Sequence, residues 1–261
     1  MRNKIESIKV GSILDSNTGG KFEVLECSSS RSVLIKFVDT GFETRCTVEN
    51  IKIGKVKDRL KPTVYSVGFI GDGRFKSQYK CKNGDAYKSW LSMMQRCYSE
   101  KSRKKNPTYS DCYVCDEWHN FQNFASWYED NHPKDGGNYE IDKDFRVVGN
   151  KKYSPEACIL IPKHVNTFTT DCRASRGKYL IGVTFDNQTG KFRSQCQNPI
   201  TRKRVDLGRF DCEIEAHTAW RDKKYEMAIA LADSQGRVEV KKAILNWAQA
   251  LKEFRVHPIE R

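Results

Sequence analysis

The chain has 261 residues with 46 Lys and Arg against 33 Asp and Glu, a net charge of +13 and a mean hydropathy of −0.70. No stretch approaches the roughly 18 to 20 apolar residues that a membrane-spanning helix needs, and the ten cysteines are too dispersed for a small disulfide framework. With no apolar signal segment at its start, the composition points to an intracellular, cytoplasmic protein with reduced thiols and a polyanionic partner.

Residues 1 to 61 carry net +4 and alternate apolar and polar in short runs: Phe22, Val24, Leu25, then Val33, Leu34, Ile35, Phe37, Val38, then Thr47, Val48, Ile51. Turn-rich stretches break these runs, which predicts a small β-barrel of four or five strands. Gly68-Phe69-Ile70-Gly71-Asp72-Gly73 lacks the strand-to-helix context of a phosphate loop and is expected to be a turn. Further on, Trp90, Met94 and Cys97 recur at helical spacing, as do Phe121, Phe124 and Tyr128. Both sets are expected as buried stripes and not as base-stacking platforms. Between them Lys101, Arg103, Lys104 and Lys105 form a basic loop. Cys112-x-x-Cys115, with His119 four residues later, is the tightest cysteine cluster. Cys97 and Cys158 would complete a tetrahedral structural zinc site, with buried free thiols as the alternative.

Ile141-Asp142-Lys143-Asp144 follows as a strand whose alternation puts Asp142 and Asp144 on one face and Lys143 on the other. A second, apolar strand at Ile159-Leu160-Ile161 ends at Pro162, which suits a helix start, and Asn166 falls about one turn into that helix. Two carboxylates and an amide oxygen facing one another make a hard-oxygen site for Mg²⁺ or Mn²⁺. The bland reading of the same residues is two solvated aspartates and a capping asparagine.

Asp142-Lys143, Gly149-Asn150-Lys151, Ser154-Pro155-Glu156 and Leu160-Ile161-Pro162-Lys163-His164-Val165-Asn166 together resemble the ββα-metal core of HNH homing endonucleases of phage introns. The wider run from Trp90 through Arg96-Cys97-Tyr98, Cys115-Asp116-Glu117-Trp118 and Trp127-Tyr128 is similar to HNH-related proteins of tailed phages, over roughly residues 85 to 170. The resemblance implies that Asp142 and Asn166 ligate one divalent ion. It also places Lys143 where the family carries its catalytic histidine, and the loop before Gly149 is about two residues longer, so the register allows Asp144 a catalytic place. A lysine is a poor general base unless its surroundings lower its pKa. The water-activating group is therefore expected to be Asp144, ahead of His119, His132 and His164 or a metal-bound hydroxide alone.

Residues 173 to 210 hold nine basic residues against Asp186 and Asp206, net +7, over half the charge of the chain. Leu180 to Phe185, Lys191 to Gln197 and Arg204 to Leu207 read as three strands, followed by a helix from about Glu213. The order Arg176-Gly177, Gly182-Val183, Thr189-Gly190-Lys191-Phe192-Arg193, Leu207-Gly208-Arg209-Phe210 and Ala219-Trp220 resembles an ethylene-response-factor (APETALA-type) DNA-binding domain, whose sheet enters the major groove. The resemblance implies Arg176, Lys178, Thr184, Lys191, Arg193, Gln195 and Arg204 as DNA contacts. Arg193 and Gln195 lie two apart and so share a face, and they suit guanine and adenine edges respectively. An amphipathic helix from about Val240 to Phe254 closes the chain.

The expected architecture is α+β with several modules: a barrel over 1 to 61, a ββα-metal domain over 62 to 172, a DNA-binding sheet over 173 to 232 and a helical tail over 233 to 261. The expected function is a phage-type, homing-like DNA endonuclease, a nickase acting on double-stranded DNA in an infected bacterial host. The competing reading is a catalytically degenerate DNA-binding protein acting as a repressor or interference factor. A third is an RNA-binding protein with an exposed Phe192 stacking bases.

Overall fold

The computed structural model describes residues 8–18, 20–78, 84–147, 149–170 and 177–256. The chain forms two compact units, one of residues 1–94 with 116–126 and the other of residues 95–115 with 127–261. Two of the three boundaries, 94/95 and 126/127, fall inside helices, α2 and α4 below, and the third lies at 115/116.

In the first unit, β1 (Ile13–Asp15), β2 (Lys21–Ser29), β3 (Ser32–Phe37) and β4 (Glu43–Cys46) form an antiparallel meander in that order. Alternation puts Phe22, Val24, Val33, Ile35 and Phe37 on one face, where all five are fully buried. The sheet stays open among the described residues, so the expected barrel does not close. With β1 three residues long and β4 four, the edge strands are too short to tilt around and pair. The apolar face is covered instead by Ile51 of α1 (Val48–Lys52) and by Val56. The run Thr47, Val48, Ile51, expected as a strand, is this helix instead, because Thr47 caps it by accepting from the Asn50 N–H.

Helix α2 (Gly84–Tyr98) brings Trp90 into the same unit, where its Nε1 donates to the Trp118 carbonyl at 2.7 Å. Trp90, Trp118 and Phe121 are fully buried, as is Phe124 in α4 (Phe121–Asn131), so this part of the aromatic stripe is packing. Gln122 holds the segment from Ile70 to Phe75, accepting from Phe75 N and donating to both carbonyls.

The second unit opens with α3 (Glu100–Lys105), a short exposed helix where a basic loop was expected; the Ser99 side chain caps it. β5 (Tyr113–Val114) pairs in parallel with β7 (Lys152–Tyr153), and β6 (Tyr139–Asp142) pairs antiparallel with β8 (Ile159–Pro162), which runs into α5 (Lys163–Thr169). Next come β9 (Val183–Asp186), β10 (Lys191–Gln197) and β11 (Arg204–Phe210), an antiparallel sheet with β10 central, then α6 (Glu213–Asp233) and α7 (Val238–Lys252).

One core joins these parts. Phe145, Ile159, Ile161, Val165 and Phe168 from the ββα segment pack with Cys196 of the sheet and with Trp220, Met227, Leu231, Ile244, Trp247 and Leu251 of α6 and α7. Polar staples reinforce it. Lys224 donates to the Phe168 carbonyl at 2.6 Å and Arg237 to the Leu160 carbonyl at 2.7 Å. Buried His217 links the Ile181 carbonyl to Arg221, which in turn donates to the Leu251 carbonyl. The segments expected as nuclease, sheet and tail modules share this core.

Gly182 sits just before β9 at φ +82°, and a Cβ there would stand 2.0 Å from Trp220 Cδ1. Gly182→Ala meets both a backbone conformation unfavourable to L side chains and the face of a core indole. We expect a loss of about 3 kcal/mol or more, read as a fall in the urea midpoint, with Gly190→Ala, whose Cβ meets open space, losing far less.

Candidate functional site

The hairpin of β6 and β8 followed by α5 puts the predicted ligands on one cavity. Asp142, Lys143, Asp144 and Asn166 line a pocket of about 460 Å³ together with Arg96, Tyr109, Lys151 and Tyr153. Asp142 ends its strand: its Oδ1 accepts from the backbone N–H groups of Asp144 at 2.9 Å and Phe145 at 2.8 Å. Side-chain bonds of this kind turn the backbone out of the ladder. Asp144 thus lies in the bend after β6 and not on the strand, contrary to the expected alternation, though the bend still delivers it to the same pocket.

Burial pushes the Asp142 carboxyl up to about 6, and the neighbouring charge of Asp144 adds to the effect; the two backbone donors and Lys143 oppose it. Lys143 is 5% exposed and donates to Asp144 Oδ1 at 2.7 Å and to the Asn150 carbonyl at 2.9 Å. Desolvation works to lower its pKa, but the hydrogen bond and charge of Asp144 prevail and hold it above the ordinary lysine value. Lys143 braces Asp144 and the Asn150 carbonyl from its buried position. Asn150 frames it, donating to the Lys143 and Lys152 carbonyls at 2.8 and 2.7 Å, next to Gly149 at φ +81°. The Gly149-Asn150-Lys151 motif is the clamp around this lysine.

Asn166 donates through Nδ2 to Glu140 Oε2, and Lys163 Nζ stands 3.9 Å from Glu140 Oε1. Glu140 was not singled out from sequence, although it lies two residues before Asp142 on β6 and the same alternation puts it on that face. Arg96, noted only as part of the aromatic run, hydrogen-bonds Tyr153 at the pocket wall. Among the described residues no histidine lines the pocket. His164 faces a different cavity with Arg202, His132 packs between Tyr128 and Tyr139, and His119 belongs to the first unit.

The donor set fits a hard divalent ion. Asp142 and Asn166 offer oxygens to one pocket, and the desolvated carboxyl beside Asp144 is an environment that a cation would relieve. Among the described residues no three His, Cys, Asp or Glu side chains close on a common point. The cysteines also stay short of a shared centre. Burial raises the thiols of Cys97, to about 12, and of Cys112, with each other's charge as the next cause for Cys97; Cys158 is raised by burial, with Cys115 a lesser influence.

The C-terminal sheet sorts its side chains by face. Val183, Phe192, Ser194 and Cys196 turn inward toward α6, and a bulge where β11 passes Ser194 and Gln195 lets Val205 and Leu207 turn inward with Phe210. Thr184, Lys191, Arg193, Gln195, Arg204 and Arg209 share the outer face, with Arg193 directly between Thr184 and Arg209. Phe192 is not an exposed platform: it packs edge-on against Tyr179 and Phe185 at 5.6 and 5.1 Å between centroids. Lys178 is exposed ahead of β9, and Arg176 lies outside the described residues. The two acidic residues of this stretch share the outer face. Asp206 accepts from Nε and Nη2 of Arg193, and Asp186 accepts from Nε of Arg209 at 2.9 Å. These pairs neutralise two arginines that would otherwise oppose each other across strands. They occupy the side edge of Arg193 and leave its end edge for a ligand.

No helix among the described residues is long and apolar enough to cross a membrane. No protein-family model, curated protein or solved structure matches this chain.

Proposed function

We propose that this protein is a DNA-binding endonuclease of the ββα-metal kind that nicks duplex DNA, with the basic three-stranded sheet choosing the site. The observation that carries the reading is the convergence of Asp142, Asp144, Asn166 and Arg96 on one pocket, reached from a strand end, a bend and two helices. Asp142 and Asn166 would hold one Mg²⁺ or Mn²⁺, which when bound polarises a phosphate oxygen and stabilises a leaving 3′ oxygen. Around it, Arg96 and Lys151 offer positive charge to a phosphate, and Glu140 orients the Asn166 amide. Asp144 is the group that accepts the water's proton, with Lys143 holding its other oxygen in place. On the sheet, Arg193 reads a guanine edge through the nitrogens that Asp206 leaves available.

The second reading is a degenerate nuclease retained for DNA binding. It is favoured by Lys143, which fills the histidine position as a buried strut bonded to the candidate base.

Incubating supercoiled plasmid with the protein and Mg²⁺ or Mn²⁺ separates the two. Relaxed circles are expected with wild type and not with Asp142→Ala or Asn166→Ala, while all three still retard duplex DNA. Arg193→Ala should lose roughly 1 to 3 kcal/mol of affinity for the preferred site and little elsewhere. Binding without nicking in every metal supports the degenerate reading; equal nicking by wild type and Asp142→Ala overturns the site.

A further inference from the structure

Residues 55 to 61 read Lys-Val-Lys-Asp-Arg-Leu-Lys, and their burial alternates. Val56 is 3% exposed and packs with Leu60 against the core of the first unit, while Lys55, Lys57 and Arg59 are exposed. The exposed side chains of Lys55, Lys57 and Arg59 thus lie away from the core that takes Val56 and Leu60. Lys55, Lys57, Arg59 and Lys61 all line one cavity of about 830 Å³, joined by Arg45, Arg74 and Lys76 from other segments. The one acidic residue in the lining among the described residues, Asp58, is engaged by Thr40 Oγ1 at 2.7 Å and by the Leu60 N–H at 2.9 Å. Arg45 pairs with Glu26 and Arg59 with Asp72, whereas Lys55, Lys57 and Lys61 have no acidic partner among the described residues.

Like charges at this density repel one another and favour an anion that spans them. Threonine and serine hydroxyls in the lining add neutral donors suited to phosphate oxygens. The aromatic ring in the lining, Phe75, is 6% exposed and lies under the Arg74 guanidinium at 4.5 Å, so it offers no face to an unpaired base. Val56 and Phe75 are buried, which leaves little apolar surface to insert into a lipid interface. We infer that this cavity grips the phosphate backbone of duplex DNA, as a sequence-independent contact site on the first unit, additional to the sheet. The inference rests on the DNA-binding half of the proposed function and not on its chemistry.

The test is fluorescence anisotropy of the full-length protein on a labelled mixed-sequence duplex, across roughly 50 to 200 mM salt. Replacing Lys55, Lys57 and Lys61 together by Gln should flatten the slope of log K against log salt by about 2 to 3, since each phosphate contact contributes about 0.9. Affinity at the low-salt end should fall at least tenfold, with site preference unchanged. The single variants Lys55→Gln, Lys57→Gln and Lys61→Gln, each expected to lower the slope by about one, serve if the triple variant melts early. A slope unchanged in all of them overturns the inference, as does tighter binding of a single strand of the same length. If Arg193→Ala weakens binding and the lysine variants do not, only this inference falls. If wild type binds no duplex at all, the proposed function falls with it.

Discussion

Asp142→Asn is expected to stabilise the metal-free protein by about 3 kcal/mol near neutral pH, because a carboxyl with a native pKa of about 6 and an ordinary value of 3.8 is disfavoured as an anion in the fold by about two pH units. As pH rises through that window the unfolded chain releases its proton first, so stability falls between about pH 4 and pH 6 and is flat above. Asparagine removes the charge and keeps an oxygen for the Asp144 and Phe145 N–H groups. The gain should therefore be absent near pH 3.5 and complete by about pH 7, measured as the difference in urea unfolding free energy between variant and wild type. Mg²⁺ or Mn²⁺ should raise the melting temperature of wild type and not of the variant, since only the ionised carboxylate rewards the ion. Equal stabilities at both pH values would show that Asp142 is solvated and that the pocket has no call for a cation.

The second large effect concerns the joint core. A fragment ending at residue 172 should not keep the ββα hairpin, because twelve of the seventeen residues in its shared core cluster come from beyond that point. Phe145, Ile159, Ile161, Val165 and Phe168 would each forfeit roughly 1.5 to 3 kcal/mol of burial. Together that matches the whole margin of about 5 to 15 kcal/mol by which domains stay folded. Lys224 and Arg237 would also cease to satisfy the Phe168 and Leu160 carbonyls. The expected observation is loss of amide exchange protection across residues 139 to 169 in the fragment, compared with slow exchange in the full chain. Protection that persists in the fragment would make the hairpin an independent domain.

The sharing of this core between segments was not legible in the sequence. Charge and turn signals divide the chain near residue 172, but apolar periodicity in α6 and α7 says only that each helix buries a face. It does not say that Trp247 packs on Phe168, 5.6 Å away between ring centroids. The barrel expectation failed for a related reason. Alternation marks β2 and β3 and their inward residues, but the run at Thr47, Val48 and Ile51 is a capped helix and not a strand, and closure depends on strand length and on what else covers the apolar face. Here β1 and β4 are short and α1 is available.

By itself the sequence determined the elements whose cause is local. These are the alternation that puts Thr184, Lys191, Arg193 and Gln195 on one face, the helical spacing behind α6 and α7, and the strand, strand and helix that carry Asp142 and Asn166. Tertiary structure decided what those side chains meet. It decided that Asp206 and Asp186, which sequence reading weighed only as minor opposition to the net charge, pair with Arg193 and Arg209 on the same face. It decided that Lys143 is sealed against Asp144 and Asn150, and that Arg45, Arg74 and Lys76 join the basic run at 55 to 61 in one cavity. The physical reason is range. Backbone periodicity follows from a residue and its near neighbours, whereas ion pairing, desolvation and the shape of a pocket depend on distances between side chains that the chain order leaves free.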